Sequence, residues 1–257
     1  MSSGWRLLLD GPTDGVENMV YDRAIQLAVE AGEAPPTVRI YAWKRPTITL
    51  GRFQDVSSIE LDACDRFGVD VVRRFTGGRG VLHDDEVTYA VIGRVADGVP
   101  RGVAASYRHL CRALTIAYGL LGVNAAVTPG DSGDRRTAAC YLQNTRADLS
   151  AGTAKLSGSA QVWHGSTVLQ HGSFTIKRDP AREAAVFALS DEQSRRLQAK
   201  TATLEQLCDP VPTREQITQA AVAGFTEVAG ETLVPGELSP EELRVAETLR
   251  GDVVVRP

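Results

Sequence analysis

The feature that most constrains this chain is the stretch Arg73-Arg74-Phe75-Thr76-Gly77-Gly78-Arg79-Gly80-Val81-Leu82-His83-Asp84. Val69 to Arg74 reads as a strand, and Val87 to Ile92 as another, so the glycines between them must carry a turn. Without side chains, Gly77, Gly78 and Gly80 let the backbone bend sharply and lie close to a ligand. Alternation puts Val71 and Arg73 on one face of the first strand and Val72 and Arg74 on the other, so the two arginines should do different jobs. Arginines beside such a turn can hold a carboxylate, a phosphate or a polarised carbonyl. These residues alone leave two readings open, a plain hairpin turn and a ligand-holding loop. The spacing Gly77-Gly78-Arg79-Gly80 does not fit the G-x-G-x-x-G pattern of a Rossmann nucleotide binder.

A second region narrows the choice. It comprises Ala139-Cys140-Tyr141, then Ala154-Lys155-Leu156-Ser157-Gly158-Ser159-Ala160-Gln161, then Leu169-Gln170-His171-Gly172-Ser173. Together the two regions resemble the lipoate-protein ligase and octanoyltransferase family, within the biotin/lipoate ligase fold. The first is similar to that family's RR-x-TGGR-x-VLHD-x-E-x-TY signature, continuing through Glu86, Thr88 and Tyr89; the second is similar to K-x-x-GSAQ followed by LQHGS. The match runs from Gly51 to Ser173. The resemblance implies an α+β fold, a mixed and largely antiparallel sheet packed with helices. It implies a single catalytic unit over residues 1–257, with a helical C-terminal region from about 180 to 257. That tail looks too short for the extra C-terminal domain that ATP-dependent lipoate ligases usually carry.

Length and composition agree with a self-sufficient core. At 257 residues the chain can bury one without disulfides or structural metal. Cys64, Cys111, Cys140 and Cys208 are scattered, with no spacing that suggests a zinc site or disulfide framework. No apolar run reaches the roughly 20 residues of a membrane span, and Met1-Ser2-Ser3-Gly4-Trp5 has no signal-peptide pattern. A reducing, cytoplasmic setting is the expectation. The net charge of −4 argues against a general nucleic-acid binder.

Val16, Met19, Val20, Ala24, Leu27 and Ala31 recur at helical spacing, predicting a helix from Asp14 to about Gly32 with Asp14 as cap. Val38, Ile40 and Ala42 alternate as a strand, and Thr47 to Leu50 follows Pro46 as another. Ala104 to Leu121 reads as a long helix ended by Gly122. Leu156 to Val162 and Thr167 to Ile176 read as a hairpin about His164-Gly165-Ser166. Later helices are expected over 182–189, 191–207, 213–228 and 239–250, the last with Ser239 as cap and Pro240 at its first position.

Four candidate groups could carry chemistry. Free cysteine is commonly a small buried hydrophobe, and Cys64, Cys111 and Cys208 keep that reading. Cys140 lies between a Gly/Asp/Arg-rich loop, 130–136, and a polar segment, where a reactive group is displayed. The resemblance implies that it is the nucleophile, forming an acyl-thioester. A free thiol has a pKa of about 8.5 and needs a cationic neighbour or base. Lys155, one of only four lysines, is either a solvated surface residue or that cation. As the cation it would also polarise the thioester carbonyl and shuttle a proton. The expected substrate-binding set is Arg74, Thr76, Gly77, Gly78, Arg79, Val81, His83, Gly158, Ser159, Ala160, His171 and Gly172. His83 and His171 remain open between structural and functional roles, since spacing alone gives neither an obvious carboxylate partner.

The activity implied by the resemblance is transfer of an octanoyl group from acyl carrier protein to a lipoyl-domain lysine, with no ATP, metal or other cofactor. The acceptor would be the glycine cleavage H protein or a 2-oxo acid dehydrogenase subunit. Two alternatives stand beside it. One is an ATP-dependent lipoate or octanoate ligase, in which Lys155 stabilises an acyl-adenylate and Cys140 is incidental; the other is a catalytically silent binder of lipoyl domains or acyl groups. Tyr141 stands where the octanoyltransferases typically show phenylalanine, 143–149 is unusually polar, and Val162-Trp163-His164 replaces a short basic stretch. Because such carriers are typically acidic, Arg73, Arg74, Arg79, Arg135 and Arg136 are expected to form a docking rim, with Arg79, Arg135 and Arg136 outermost.

Overall fold

A computed structural model describes residues 4–128 and 148–255. In chain order the elements are β1 (Arg6–Thr13), α1 (Gly15–Ala31), β2 (Thr37–Trp43), β3 (Thr47–Leu50), α2 (Leu61–Phe67), β4 (Asp70–Arg73), β5 (Val81–His83) and β6 (Glu86–Arg94). Then come α3 (Val103–Leu120), β7 (Ala126–Thr128), β8 (Asp148–Ala151), β9 (Ala154–Ser157), β10 (Ser159–His164) and β11 (Thr167–Thr175). The C-terminal part holds α4 (Pro180–Val186), α5 (Asp191–Lys200), α6 (Leu204–Leu207), α7 (Arg214–Ala229), β12 (Val234–Pro235) and α8 (Pro240–Val253).

The central sheet has the order β10-β11-β6-β2-β1-β12. β2, β6, β11 and β10 pair antiparallel, whereas β1 runs parallel to both β2 and β12. Its middle strands are buried on both faces, which explains the nearly unbroken apolar run of β6. Val87, Tyr89 and Val91 point into one core with Tyr118 of α3 and Phe225 of α7. Ala90 and Ile92 point into the other with Met19 and Ile25 of α1 and Ala246 and Val253 of α8. The sheet is thus sandwiched between helix pairs, and the C-terminal helices complete both layers. Glu242 closes the capping box of α8 and also holds the buried Arg6 of β1 at 2.5 Å, tying the last helix to the first strand. Two smaller sheets, β4-β3-β5 and β7-β8-β9, flank the main one.

Three expectations change. The strand expected over 156–162 is two strands. β9 belongs to the β7-β8-β9 sheet and β10 to the main sheet, with the chain switching at Gly158. A Cβ added to Gly172 would lie 2.8 Å from the carbonyl oxygen of Gly158, so the missing side chain at Gly172 lets β11 and the switch point touch. The helix expected over 191–207 is broken at 201–203. There Thr201 bridges to Lys155 and the Ala202 amide donates to the Lys155 carbonyl at 3.0 Å. Between Arg74 and Val87 the loop contains the short strand β5, which pairs with β3. The helix expected from Asp14 is present, ending at Gly32 with φ 78°. Asp14 makes no side-chain cap bond; its carboxylate faces Lys44 instead, at 3.4 Å.

Candidate active site

Beside the central sheet lies a largely apolar cavity of about 580 Å³. Met19 of α1, Tyr41 and Trp43 of β2, and Val81 of β5 supply apolar wall; Val103, Ala104 and Tyr107 come from the first turns of α3. Of the residues expected from sequence, Arg74, Gly77, Gly78, Val81, His83, Gly158, Ser159, Ala160, His171 and Gly172 all line it. Thr76 is fully buried, and Arg79 has its carbonyl turned to Arg74. Lys155 is buried on β9, outside the lining, two residues before Ser157 and the Gly158 switch. Cys140, with Tyr141, Arg135 and Arg136, lies outside the described residues.

The two arginines of the motif divide the work as alternation requires. Arg73 reaches the carbonyls of Gly51, Arg52 and Gln54. Arg74 is buried and faces the other way. Its Nη2 donates to the carbonyls of Gly77 and Arg79, both at 2.8 Å, and so fixes the glycine loop. Gly78 has φ 98°, which favours glycine, and a Cβ on Gly51 would lie 2.0 Å from the Gly78 carbonyl. Both arginine side chains are therefore engaged by the fold, and the burial of Arg74 removes it from the expected docking rim.

From Arg74 a buried hydrogen-bond chain runs in two directions. Nη1 donates to Thr49 Oγ1 at 3.1 Å, and Thr49 Oγ1 lies 3.0 Å from His83 Nε2. Nε donates to Thr76 Oγ1 at 3.1 Å, and Thr76 Oγ1 lies 2.8 Å from His171 Nε2. At the far ends His83 Nδ1 meets Glu86 at 2.7 Å and His171 Nδ1 meets Asp22 at 3.1 Å. Guanidinium only donates, so both threonine oxygens accept from it and have their own protons to give. The carboxylates only accept, so each Nδ1–H goes to its carboxylate, and Nε2 of a ring neutral in that form accepts the threonine proton. On the His171 branch every group is satisfied when the ring is neutral and carries its proton on Nδ1.

The electrostatics match. Burial lowers the pKa of His171 below the ordinary histidine value, outweighing Asp22. Burial alone would raise Glu86, but His83 beside it and hydrogen bonds from His83, Thr88 and Ser173 hold it below the usual carboxylate value. Trp43 stacks on His83 at 4.2 Å and donates to Thr88 Oγ1 at 2.7 Å. On the other side Asp22 is clamped by the fully buried Arg39 at 2.8 Å and by the Tyr41 hydroxyl at 3.2 Å.

Ser159 and Gln161 are anchored as well. Ser159 Oγ lies 2.7 Å from the Tyr89 hydroxyl, and Gln161 Nε2 donates to Gln170 at 3.1 Å. The site is therefore a rigid polar wall of β-strand and glycine-loop residues facing an apolar one. Of the apolar wall residues, sequence reasoning named only Val81 for the site. Trp43 and Tyr41 lay in a strand read only for its alternation, and Ala104 to Arg108 opened a helix read only for its extent and its end at Gly122.

Set beside known proteins, residues 14–226 match the lipoyl protein ligase A/B catalytic domain. The chain belongs to that family. Its curated relatives include an octanoyltransferase LipM of Symbiobacterium thermophilum, 38% identical, the match covering 97% of this chain and 95% of that protein. Another is octanoyltransferase LipM of Moorella thermoacetica, 39% identical, covering 93% and 91%. Among solved structures, a lipoate-protein ligase A bound with ATP superposes with a TM-score of 0.81 at 22% identity, covering 97% of this chain and 95% of that one. A bipartite lipoate protein ligase from Thermoplasma acidophilum gives 0.79 at 21% identity, covering 98% and 93%. These likenesses carry the fold, and the α+β lipoate-ligase architecture expected from the two motif regions is the one observed. Among the described residues no helix is long and apolar enough to cross a membrane.

Proposed function

We propose that this member of the lipoyl protein ligase A/B family is an octanoyltransferase. It takes the octanoyl group from acyl carrier protein and passes it to the acceptor lysine of a lipoyl domain. That domain would belong to the glycine cleavage H protein or the acyltransferase subunit of a 2-oxo acid dehydrogenase. The observation that carries the reading is the convergence of both signature regions on one largely apolar cavity, in a chain 38% and 39% identical to proteins named as octanoyltransferases. The residues act as one unit over 1–257, in the cytoplasm, without ATP or a metal.

In this reading the apolar wall of Met19, Trp43, Val81 and Tyr107 receives the eight-carbon chain. The glycine loop held by Arg74, with Gly158 and Ser159 opposite, brackets the thioester carbonyl. The Cys140 thiolate attacks that carbonyl carbon; its bond to the carrier's sulfur breaks, and the carrier leaves as a thiol after taking a proton. The acceptor amine then attacks the Cys140 thioester. An amide forms, the bond to Cys140 sulfur breaks, and the amine's proton returns to the cysteine. Lys155 is the cation proposed to favour the thiolate and polarise the carbonyl. Its burial and its backbone ties to 201–202 hold it on a fixed strand, which suits that role.

Intact-mass spectrometry after mixing with octanoyl carrier protein alone tests the scheme. One hydroxylamine-labile octanoyl adduct is expected on Cys140, with transfer to a lipoyl domain on its addition. Lys155→Ala should slow acylation by at least ~10²-fold, the usual scale for a positioned charge or acid–base group. An adduct on Cys64, Cys111 or Cys208 overturns the assignment of the nucleophile. Strict ATP dependence with activity retained in Cys140→Ala would establish a ligase instead.

A further inference from the structure

A long stretch of this net-negative chain without an acid includes residues that line the cavity. From Gly98 to Gly130 there is no aspartate or glutamate, but there are Arg101, Arg108, His109 and Arg112. One face of α3 carries Leu110, Cys111, Leu114, Ala117 and Tyr118 and is buried in the core shared with α7. The opposite face presents Ala104, Arg108 and Arg112 at four-residue intervals, with Arg101 just before the helix, and all four are exposed. From Arg101 to Arg112 the stripe is about 16 Å long at ~1.5 Å per residue.

None of these three arginines meets a carboxylate among the described residues. By contrast, Arg6, Arg39, Arg94, Arg182 and Arg214 each do. The stripe also begins at the site: Val103, Ala104, Tyr107 and Arg108 line the cavity, and Val103 is 63% exposed.

We propose that this face of α3 docks the acidic protein that delivers the acyl thioester. The inference rests on the octanoyl transfer proposed above. Charge complementarity selects an acidic surface, since a local run of exposed arginines steers partners whatever the net charge of the chain. The cavity selects the donor. At docking, the donor is covalently joined to the acyl chain that enters between Val103, Tyr107 and the strands. The inserted chain therefore keeps the donor close to the cavity mouth, where α3 begins and its arginine face is exposed. The acceptor arrives after the acyl group has been transferred to the enzyme and needs only to bring its lysine to the carbonyl.

The test is Arg101→Glu/Arg112→Glu, which spares the cavity-lining Arg108, measured with octanoyl carrier protein and with uncharged octanoyl-pantetheine as donors. KM for the carrier should rise about ten-fold or more, with kcat little changed, and the wild-type sensitivity of that KM to salt should largely disappear. Turnover of octanoyl-pantetheine and KM for the lipoyl domain should stay within about two-fold, and Arg195→Glu/Arg196→Glu on the exposed side of α5 should leave all three unchanged. Equal losses with both donors, a rise confined to the lipoyl-domain KM, or no change at all would overturn the docking assignment. Wild-type protein that accepts the octanoyl group from neither donor would instead overturn the transferase reading itself.

Discussion

Arginine does two opposite things on the two walls of the cavity. On the strand wall, Arg74 and Arg39 are buried and held on several sides. Arg74 donates to two hydroxyls and to the carbonyls of Thr49, Gly77 and Arg79, and Arg39 to Asp10, Asp22 and Asn18. On the helix wall, Arg101, Arg108 and Arg112 are exposed and meet no carboxylate among the described residues. A buried guanidinium must have its donors met, because an unmet buried donor costs free energy, so its surroundings are fixed around it. An exposed one is hydrated and acts at a distance through its field. Changes on the strand wall should therefore show in stability and in the chemical step, and changes on the helix wall in partner binding.

The sharpest way to break that contrast is Arg74→Met. It leaves the carbonyls of Thr49, Gly77 and Arg79 without this donor inside the protein. At ~1–3 kcal/mol per unmet buried group, the loss should reach ~4 kcal/mol in a denaturant titration. Arg74→Lys should recover only part, because one ammonium cannot span two hydroxyls and three carbonyls. A lysine variant as stable and active as the wild type would show that the fork is not what holds the glycine loop.

Asp22→Asn comes next. It removes the anion between Arg39 and His171, leaving Arg39 with Asp10, whose side chain is 28% exposed. Breaking such a buried pair costs ~3 kcal/mol. The same substitution should push the His171 pKa lower still, since Asp22 is what raises it against burial. In the wild type, His171 already titrates below 6.5 in the folded protein because burial disfavours its charge. Its contribution to stability is therefore full above about pH 6.5 and is lost as pH falls through the folded value. Glu86, held below 4.5, contributes stability that is present above 4.5 and lost as pH falls further. Wild-type stability should thus fall in two stages on acidification. A profile flat from pH 7 to 5 would contradict the neutral, Nδ1-protonated form of His171.

How much of this was written plainly in the chain depends on where each partner sits. The buried strand β6 was legible from its apolar run, β11 as one arm of the hairpin about His164-Gly165-Ser166, and α1, α3 and α8 from spacing and end signals such as Ser239-Pro240. β1 was not, and no element was expected there: after Leu7-Leu8-Leu9 come Asp10-Gly11-Pro12, residue types that favour turns. Only parallel pairing with β2, with a register shift between Leu9 and Pro12, makes a strand of them. Nor could local pattern show that Thr201 leaves its helix to pair with Lys155, far back in the chain. In the site, the motif residues named most of the polar wall. The carboxylate of His171 was hidden because Asp22 lies 149 residues away. The α3 wall was hidden because a helix with one apolar face and one arginine face reads as core packing plus solvated charge.

The smallest effect completes the comparison. Arg101→Glu/Arg112→Glu should leave the unfolding free energy within ~0.5 kcal/mol of wild type, the usual range for surface changes. A carboxylate at position 101 would precede the positive end of the α3 dipole, a mildly favourable place for an anion. A carboxylate at position 112 would stand four residues after Arg108, replacing a like-charge neighbour by an opposite one. The helix should therefore hold, and a half-buried neighbour can report it. His109 titrates below the ordinary histidine value, chiefly because of burial and then because of Arg112. With Arg112 replaced, the second cause disappears, and the His109 pKa followed by NMR should rise while burial still keeps it depressed. An unmoved His109 with a large stability loss would mean that the arginine face of α3 supports the fold after all, and the two walls would then differ in exposure but not in kind.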